Sequence, residues 1–183
     1  MLMTPEDLIL ADSTFEDMSY ADAELTALIA SVEAAIRAYT NNRFQVRRAR
    51  MGASSNGPVL ALTEGTLEFF RPGDTVQITE TDVNDGLYVI EAVDTQAGTV
   101  TVDNDLFALD WNLVTKVQYP KDVIAGAVRM MNWMVTMGDK TGVASETLSR
   151  HTVTYAGVDA SNTVMGYPVS LLGFLGPYRK ARF

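Results

Sequence analysis

Arg71-Pro72-Gly73-Asp74-Thr75-Val76-Gln77-Ile78-Thr79, followed after a short polar stretch by Asn84-Asp85-Gly86-Leu87-Tyr88-Val89-Ile90, is where the hydrophobic period of the chain becomes two. The alternation and the β-branched residues predict strands, and Gly and Asn tolerate the positive φ that tight turns need. The same pattern extends outward. Val59-Leu60-Ala61-Leu62 and Thr99-Val100-Thr101-Val102 are two more short strands, Gln96-Ala97-Gly98 is another turn, and Val114 to Tyr119 completes the set. Four or five short strands at this spacing predict a small closed or nearly closed β-barrel over residues 49–118. Gly52-Ala53-Ser54-Ser55-Asn56-Gly57 looks like a linker and Tyr119-Pro120 like a joint, so this module is expected to be an insertion.

On either side the period is about 3.6. Leu25, Leu28, Ile29, Val32, Ile36 and Tyr39 form one apolar stripe, which predicts a helix from about Asp22 to Thr40. Ser19 and Asp22 are both candidate N-caps, Glu24 favours the positive end of the helix dipole, and Asn41-Asn42 stops the helix. A second helix is expected after Pro120, capped near Asp122 and running to about Gly138. Its Met130, Met131, Met134 and Met137, with Trp133 and several Ala and Val, make it apolar around most of its circumference, as in helices buried on more than one side. The rest is less regular. Asp139 to Ser145 is a polar connection, Ser149 to Tyr155 alternates like a strand, and Pro168-Val169-Ser170-Leu171-Leu172-Gly173-Phe174-Leu175-Gly176-Pro177-Tyr178-Arg179 is unusually apolar. Such a segment either packs on its own domain or waits for a partner.

The chain has 183 residues, 47% hydrophobic and 20% charged, and no cysteine, so neither a disulfide framework nor a thiolate metal site is possible. No apolar run has the length of a membrane span, and the acidic start Thr4-Pro5-Glu6-Asp7 is unlike a secretory signal, which leads to the expectation of a cytoplasmic protein. The net charge of -9 is unevenly distributed: eight acids precede the first basic residue, Arg37, and nine lie between Arg71 and Lys116 with no Lys or Arg among them. Such acidity disfavours sequence-specific DNA binding over a broad face, but suits either a soluble domain or a lumen through which DNA slides.

Signs of catalysis are scarce. The one histidine, His151, lies in a predicted strand, which favours a solvated or hydrogen-bonded role over that of a catalytic base and excludes two-histidine metal motifs. With Gly86 as the glycine of a calcium loop, the first, third and twelfth positions are Thr81, Val83 and Ala92, the wrong ligands. No phosphate-cradling Gly-Lys-Ser/Thr motif is present, and Gly173-Phe174-Leu175-Gly176 lacks the lysine. No catalytic residue, metal ligand or cofactor is therefore expected.

Two features bear on association. The methionines of the second helix are core filler that can also face another subunit. Arg43, Arg47, Arg48 and Arg50 suit DNA phosphates in a channel or the acids of an adjacent copy, the second being preferred in an acidic assembly.

Ala38-Tyr39-Thr40-Asn41-Asn42-Arg43-Phe44, the helix from Pro120 to Val135, the segment Glu146 to Tyr155, and the ending Tyr167-Pro168 to Pro177-Tyr178-Arg179-Lys180 together resemble the phage head-tail connector family. The segment Gly73 to Ile78 with Asn84 to Tyr88 resembles the SH3-like barrels of virion proteins. The resemblance implies an α+β fold: a helical connector core built from residues 1–48 and 119–183, with the barrel of residues 49–118 inserted between its two main helices. It implies a non-enzymatic virion assembly protein, a homo-oligomeric ring, commonly a dodecamer, between a portal protein and a tail-side stopper or tail-completion protein. DNA would pass through the lumen during packaging without sequence-specific binding, and the protein would be found at the head-tail interface of the virion and, during assembly, in the host cytoplasm. Met130, Met131, Met134, Arg43, Arg47 and Arg48 are then the expected oligomer interface. Leu171, Leu172, Phe174, Leu175, Tyr178, Arg179 and Lys180 are the expected portal-docking residues, with Arg182 beside them, in a segment expected to order on binding. The alternatives are another tail-completion protein, or a sugar- or peptide-binding module built on the barrel.

Overall fold

The structure, a computed structural model, describes residues 1–137, 145–148, 151–154 and 162–181, of which 145–148 and 151–154 by backbone pairing alone. In chain order the elements are α1 (Pro5–Ala11), α2 (Thr14–Asp17), α3 (Asp22–Thr40), β1 (Gln45–Gly65), β2 (Thr75–Thr79), β3 (Gly86–Asp94), β4 (Thr99–Val117), α4 (Lys121–Met137), β5 (Ser145–Leu148), β6 (His151–Thr154), β7 (Thr163–Val164), β8 (Tyr167–Pro168) and a 3₁₀ segment, Val169–Tyr178. They fall into two compact units, one of Met1 with Arg43–Tyr119 and one of Leu2–Asn42 with Pro120–Phe183.

The first unit is an antiparallel sheet organised around β4, which pairs with all three of the other strands. β4 pairs with β1 along one edge, from Gln45↔Val117 to Ala61↔Thr99. Along its other edge, the C-terminal half of β4 pairs with β2 and its N-terminal part with β3, while β2 and β3 pair with each other. β1 curls so far that its ends meet. Gly65, at φ +95°, lies where an added Cβ would stand 2.9 Å from the Arg50 carbonyl oxygen, so only glycine closes this turn. Met51, Leu60, Phe70, Ile78, Ile90 and Val114 fill the interior.

A strand cannot bend this sharply with its ladder intact. The β1–β4 register shifts between Ala53 and Ser55, again between Ser55 and Gly57, and again between Gly57 and Val59. Buried polar side chains take up the backbone groups released there. Asn84 accepts the Phe107 N–H at 2.9 Å and donates to the Phe107 carbonyl at 3.0 Å, to Ser55 Oγ at 3.2 Å and to Asn112 Oδ1 at 3.1 Å. Asn112 donates to the Ala53 carbonyl and to Ser55 Oγ, each at 3.0 Å, and Ser55 Oγ donates to the Phe107 carbonyl at 2.7 Å. All three side chains are buried, so each bond replaces water that cannot reach the site.

These strands overturn the expected fold class. Among the described residues strand is more abundant than helix, and the largest assembly of elements is the antiparallel sheet, not a helical connector core carrying a small barrel. The physical reason lies in the stretch taken for a linker. Gly52 to Gly57 is paired strand, with the Trp111 indole nitrogen 2.8 Å from where a Gly52 Cβ would stand, and the small residues there let β1 bulge and bend while remaining in the sheet. The short strands predicted at Val59–Leu62 and Thr99–Val102 are parts of strands of 21 and 19 residues, and the one predicted at Val114–Tyr119 is the end of the second, which stops at Val117.

In the second unit α3 spans the predicted residues, but Ala21 occupies its N-cap position instead of Ser19 or Asp22. The Glu24 carboxylate reaches back to accept the Ala21 N–H at 2.9 Å. At the other end Asn41 adopts the left-handed conformation (φ +48°), as a helix-ending Asn does. α1 is closed by a capping box between Thr4 and Asp7, with Pro5 at the start. Leu8, Phe15, Leu25, Ile29 and Ile36 are buried, as are Val123, Ala127, Met130 and Met131 of α4. Asp12 links two helices: its carboxylate accepts the Thr14 N–H at 3.0 Å and an Asn132 Nδ2 hydrogen at 2.6 Å. The hydroxyl and N–H of Thr14, together with Asn132, hold its pKa below the usual value for Asp. β5 pairs with β6 from Ser145↔Thr154 to Leu148↔His151. Residues 139–144, 149–150 and 155, where part of the polar connection and of the predicted strand fell, lie outside the described residues.

Asn84→Ala removes the partners of both the Phe107 N–H and its neighbours at once. It is expected to destabilise the sheet unit by about 2–4 kcal/mol, an unsatisfied buried group costing roughly 1–3. Urea unfolding followed by far-UV circular dichroism measures this.

Candidate functional site

The apolar ending is seated within its own unit. Val169–Tyr178 winds as a ten-residue 3₁₀ helix, long for a form with poor hydrogen-bond geometry, and is secured by side chains at its edges. Leu172 and Leu175 are buried, while Leu171, Phe174 and Tyr178 are half-buried. Phe174 fits on α4 because residue 126 is glycine: an added Cβ would overlap the Phe174 ring, and Gly126 offers no side chain to block it. The Arg129 guanidinium stands 5.9 Å from the centroid of the Phe174 ring.

A second set of contacts fastens the ending to the last turn of α3. The Lys180 N–H donates to the Thr40 carbonyl at 2.7 Å, Asn41 Nδ2 to the Ala181 carbonyl at 2.9 Å, and Asn42 Nδ2 to the Tyr178 carbonyl at 3.2 Å. The Arg179 guanidinium lies 5.1 Å from the centroid of the Tyr39 ring. Tyr178 completes the clasp from the other helix, its hydroxyl donating to the Asp122 carboxylate at 2.8 Å. Asn41 leaves the helical conformation and turns its amide outward, so the residue that stops α3 also holds the tail.

Of the expected docking residues, then, all seven are described, and Arg179 and Lys180 are exposed. Arg182 and its surroundings lie outside the described residues, as does the His151 side chain. The expected interface residues are divided. Met130 and Met131 are buried in their own unit, and Met134 Sδ accepts the Tyr167 hydroxyl at 2.6 Å beside the Trp133–Tyr167 ring pair. Arg43, Arg47 and Arg48 belong to the sheet unit and are exposed. The pairing of Asn41 and Asn42 with the ending, of Tyr39 with Arg179 and of Asp122 with Tyr178 went unforeseen. These contacts join residues 56 to 140 positions apart, which local sequence patterns do not reveal. Among the described residues, no group of three or more His, Cys, Asp or Glu is placed to hold a metal ion, and no helix is long and apolar enough to cross a membrane.

No protein-family model matches the sequence. No curated protein matches it either. A solved structure described as the neck of an empty GTA particle computed with C6 symmetry is similar over 90% of this chain and 82% of its own, at 10% sequence identity and a TM-score of 0.31. A score that low does not establish a common fold.

The Asp122 carboxylate, by accepting a hydrogen bond from the Tyr178 hydroxyl, raises the Tyr178 pKa above its ordinary value, and burial and the carboxylate's charge raise it further. Burial likewise raises that of Tyr167. A raised folded pKa means that the stabilisation is complete below the unfolded value of about 10 and is lost as pH rises through the folded one. Melting temperature is therefore expected to fall on the alkaline side, and Tyr178→Phe to flatten that fall, in pH-dependent circular dichroism. Leu172→Ala and Leu175→Ala are each expected to cost about 2–5 kcal/mol, the cost of emptying a buried leucine site, in the urea unfolding of the full chain.

Proposed function

We propose that this chain is a non-catalytic structural subunit of a phage-type neck, an adaptor that forms a ring between portal and tail and lets DNA pass through its lumen. The observation that carries this reading is the clasp. Three of the segments that resemble the head-tail connector family, the end of α3, the start of α4 and the Pro177-Tyr178-Arg179-Lys180 ending, meet at one place through Thr40, Asn41, Asn42, Asp122 and Tyr178. Residues far apart in sequence thus form one local structure, which gives the resemblance a physical meaning beyond pattern. The acidity of the chain suits a lumen that DNA must traverse without sticking.

In this reading the seated ending presents Arg179 and Lys180 outward, where they meet acidic surface of the portal, while Leu171 and Phe174 supply partly exposed apolar area. Met130 and Met131 support the subunit from within, and the contacts between neighbours come from exposed groups such as Arg43, Arg47 and Arg48. The protein resides in the virion at the head-tail junction, after assembly in the host cytoplasm.

Purified particles from cells carrying the gene are expected to contain the chain in a fixed ratio to the portal, and gold-labelled antibody to mark the head-tail junction. Quantitative mass spectrometry and electron microscopy read the two results. Recovery of the chain only as free protein, with none in particles, overturns the proposal.

A further inference from the structure

The sheet unit carries an exposed apolar point built on a rigid base. Phe107 is 68% and Val83 56% exposed. Single exposed apolar residues are ordinary, but these two are held by the same buried side chain. Asn84 follows Val83 in the chain and is bonded to both the N–H and the carbonyl of Phe107. The connection carrying Val83 is braced as well: Asp85 Oδ1 accepts the Thr81 N–H and hydroxyl, each at 2.9 Å, and Thr81 Oγ1 accepts the Asn84 N–H at 3.1 Å. Glu80 and Asp82 adopt φ of +72° and +61°, an uncommon conformation for residues other than glycine, kept in place by that bracing. An aromatic point fixed in this way loses little conformational entropy on binding.

Its electrostatic setting indicates what it binds. Asp82, Asp85, Asp103, Asp105 and Asp110 are exposed on the same connection and along β4, and the stretch between Arg71 and Lys116 has no basic residue. Arginine is the side chain that both stacks on an aromatic ring and pairs with a carboxylate. The same unit bears exposed Arg43, Arg47 and Arg48, none of which has an ion-pair partner among the described residues.

We propose that Phe107 and Val83 dock onto a second copy of this chain, where Arg47 and Arg48 receive them. Donor and acceptor are different surfaces of one subunit, so the contact is head-to-tail and can repeat around a closed ring. The proposal shares with the neck reading only the premise that the chain self-associates, and assigns which surfaces do so.

Sedimentation velocity of the full chain over a range of concentrations tests it, with Phe107→Ser and with Arg47→Glu/Arg48→Glu, all changes of exposed side chains whose folding is checked by thermal melting. Wild type is expected to associate, less so in high salt. Each variant alone is expected to associate at least about tenfold more weakly, as when an interface anchor is lost. Mixing the two variants should restore one contact and give dimers without larger species. A wild type that stays monomeric at every concentration overturns the proposal, and so do variants that associate like wild type. Phe107→Ser that self-associates normally but fails to enter particles also overturns it, by making the occupant another virion protein, and leaves the neck reading standing. Absence of the chain from particles, with the self-association pattern intact, overturns the neck reading and leaves this one.

Discussion

A β-ladder that must bend leaves backbone groups without partners, and the sheet unit depends on how this one is repaired. β1 and β4 run side by side over most of their length while β4 also pairs with β2 and β3, and the bend this requires appears as the register shifts between Ala53 and Val59. Asn84, Asn112 and Ser55 supply the missing donors and acceptors from inside. The apolar residues around them exclude water, which makes these bonds strong and also makes them indispensable. The same repair fixes the direction in which Phe107 leaves the surface, so the stability of the unit and the geometry of its exposed point have one origin.

The sequence was informative where a local signal coincided with the local structure. The 3.6-residue stripe from Leu25 to Tyr39 gave α3 its limits, Pro120 began α4, and the alternation of Thr75 to Thr79 is β2 as formed. Thr4-Pro5-Glu6-Asp7 also holds a legible capping box, its Thr and Asp standing at the spacing that closes a helix start. What could not be read locally was the continuity of β1. Gly, Ser and Asn between Gly52 and Gly57 have the composition of a loop, and only pairing with Asn112, Leu109 and Leu106 makes them strand. Asn84 was similarly misleading: beside Asp85-Gly86 it suggested an exposed turn, whereas its amide is the centre of the buried network.

The candidate site was legible in its parts and illegible as a whole. The apolar and aromatic ending stood out, and the Asn41-Asn42 pair was recognised as the end of a helix. That the first is received by the second follows from tertiary structure: the small Gly126, the Thr40 carbonyl left open at the end of α3 and the Asp122 carboxylate at the start of α4. An open carbonyl at a helix end is an acceptor looking for a donor, and here a backbone N–H from the opposite end of the unit fills it.

This arrangement has a consequence for biosynthesis. The sheet unit lies within the chain between the two parts of the helical unit, and its strands pair across nearly its full length, the kind of distant contact that forms slowly. Emerging first, α3 has its apolar stripe before α4 exists, and the Thr40 carbonyl waits for Lys180, which leaves the ribosome long afterwards. The nascent chain therefore exposes adhesive surface throughout the synthesis of the sheet. Closure of residues 178–181 onto Thr40, Asn41 and Asn42 therefore follows the synthesis of the whole sheet unit, and the end of α3 stays open until then.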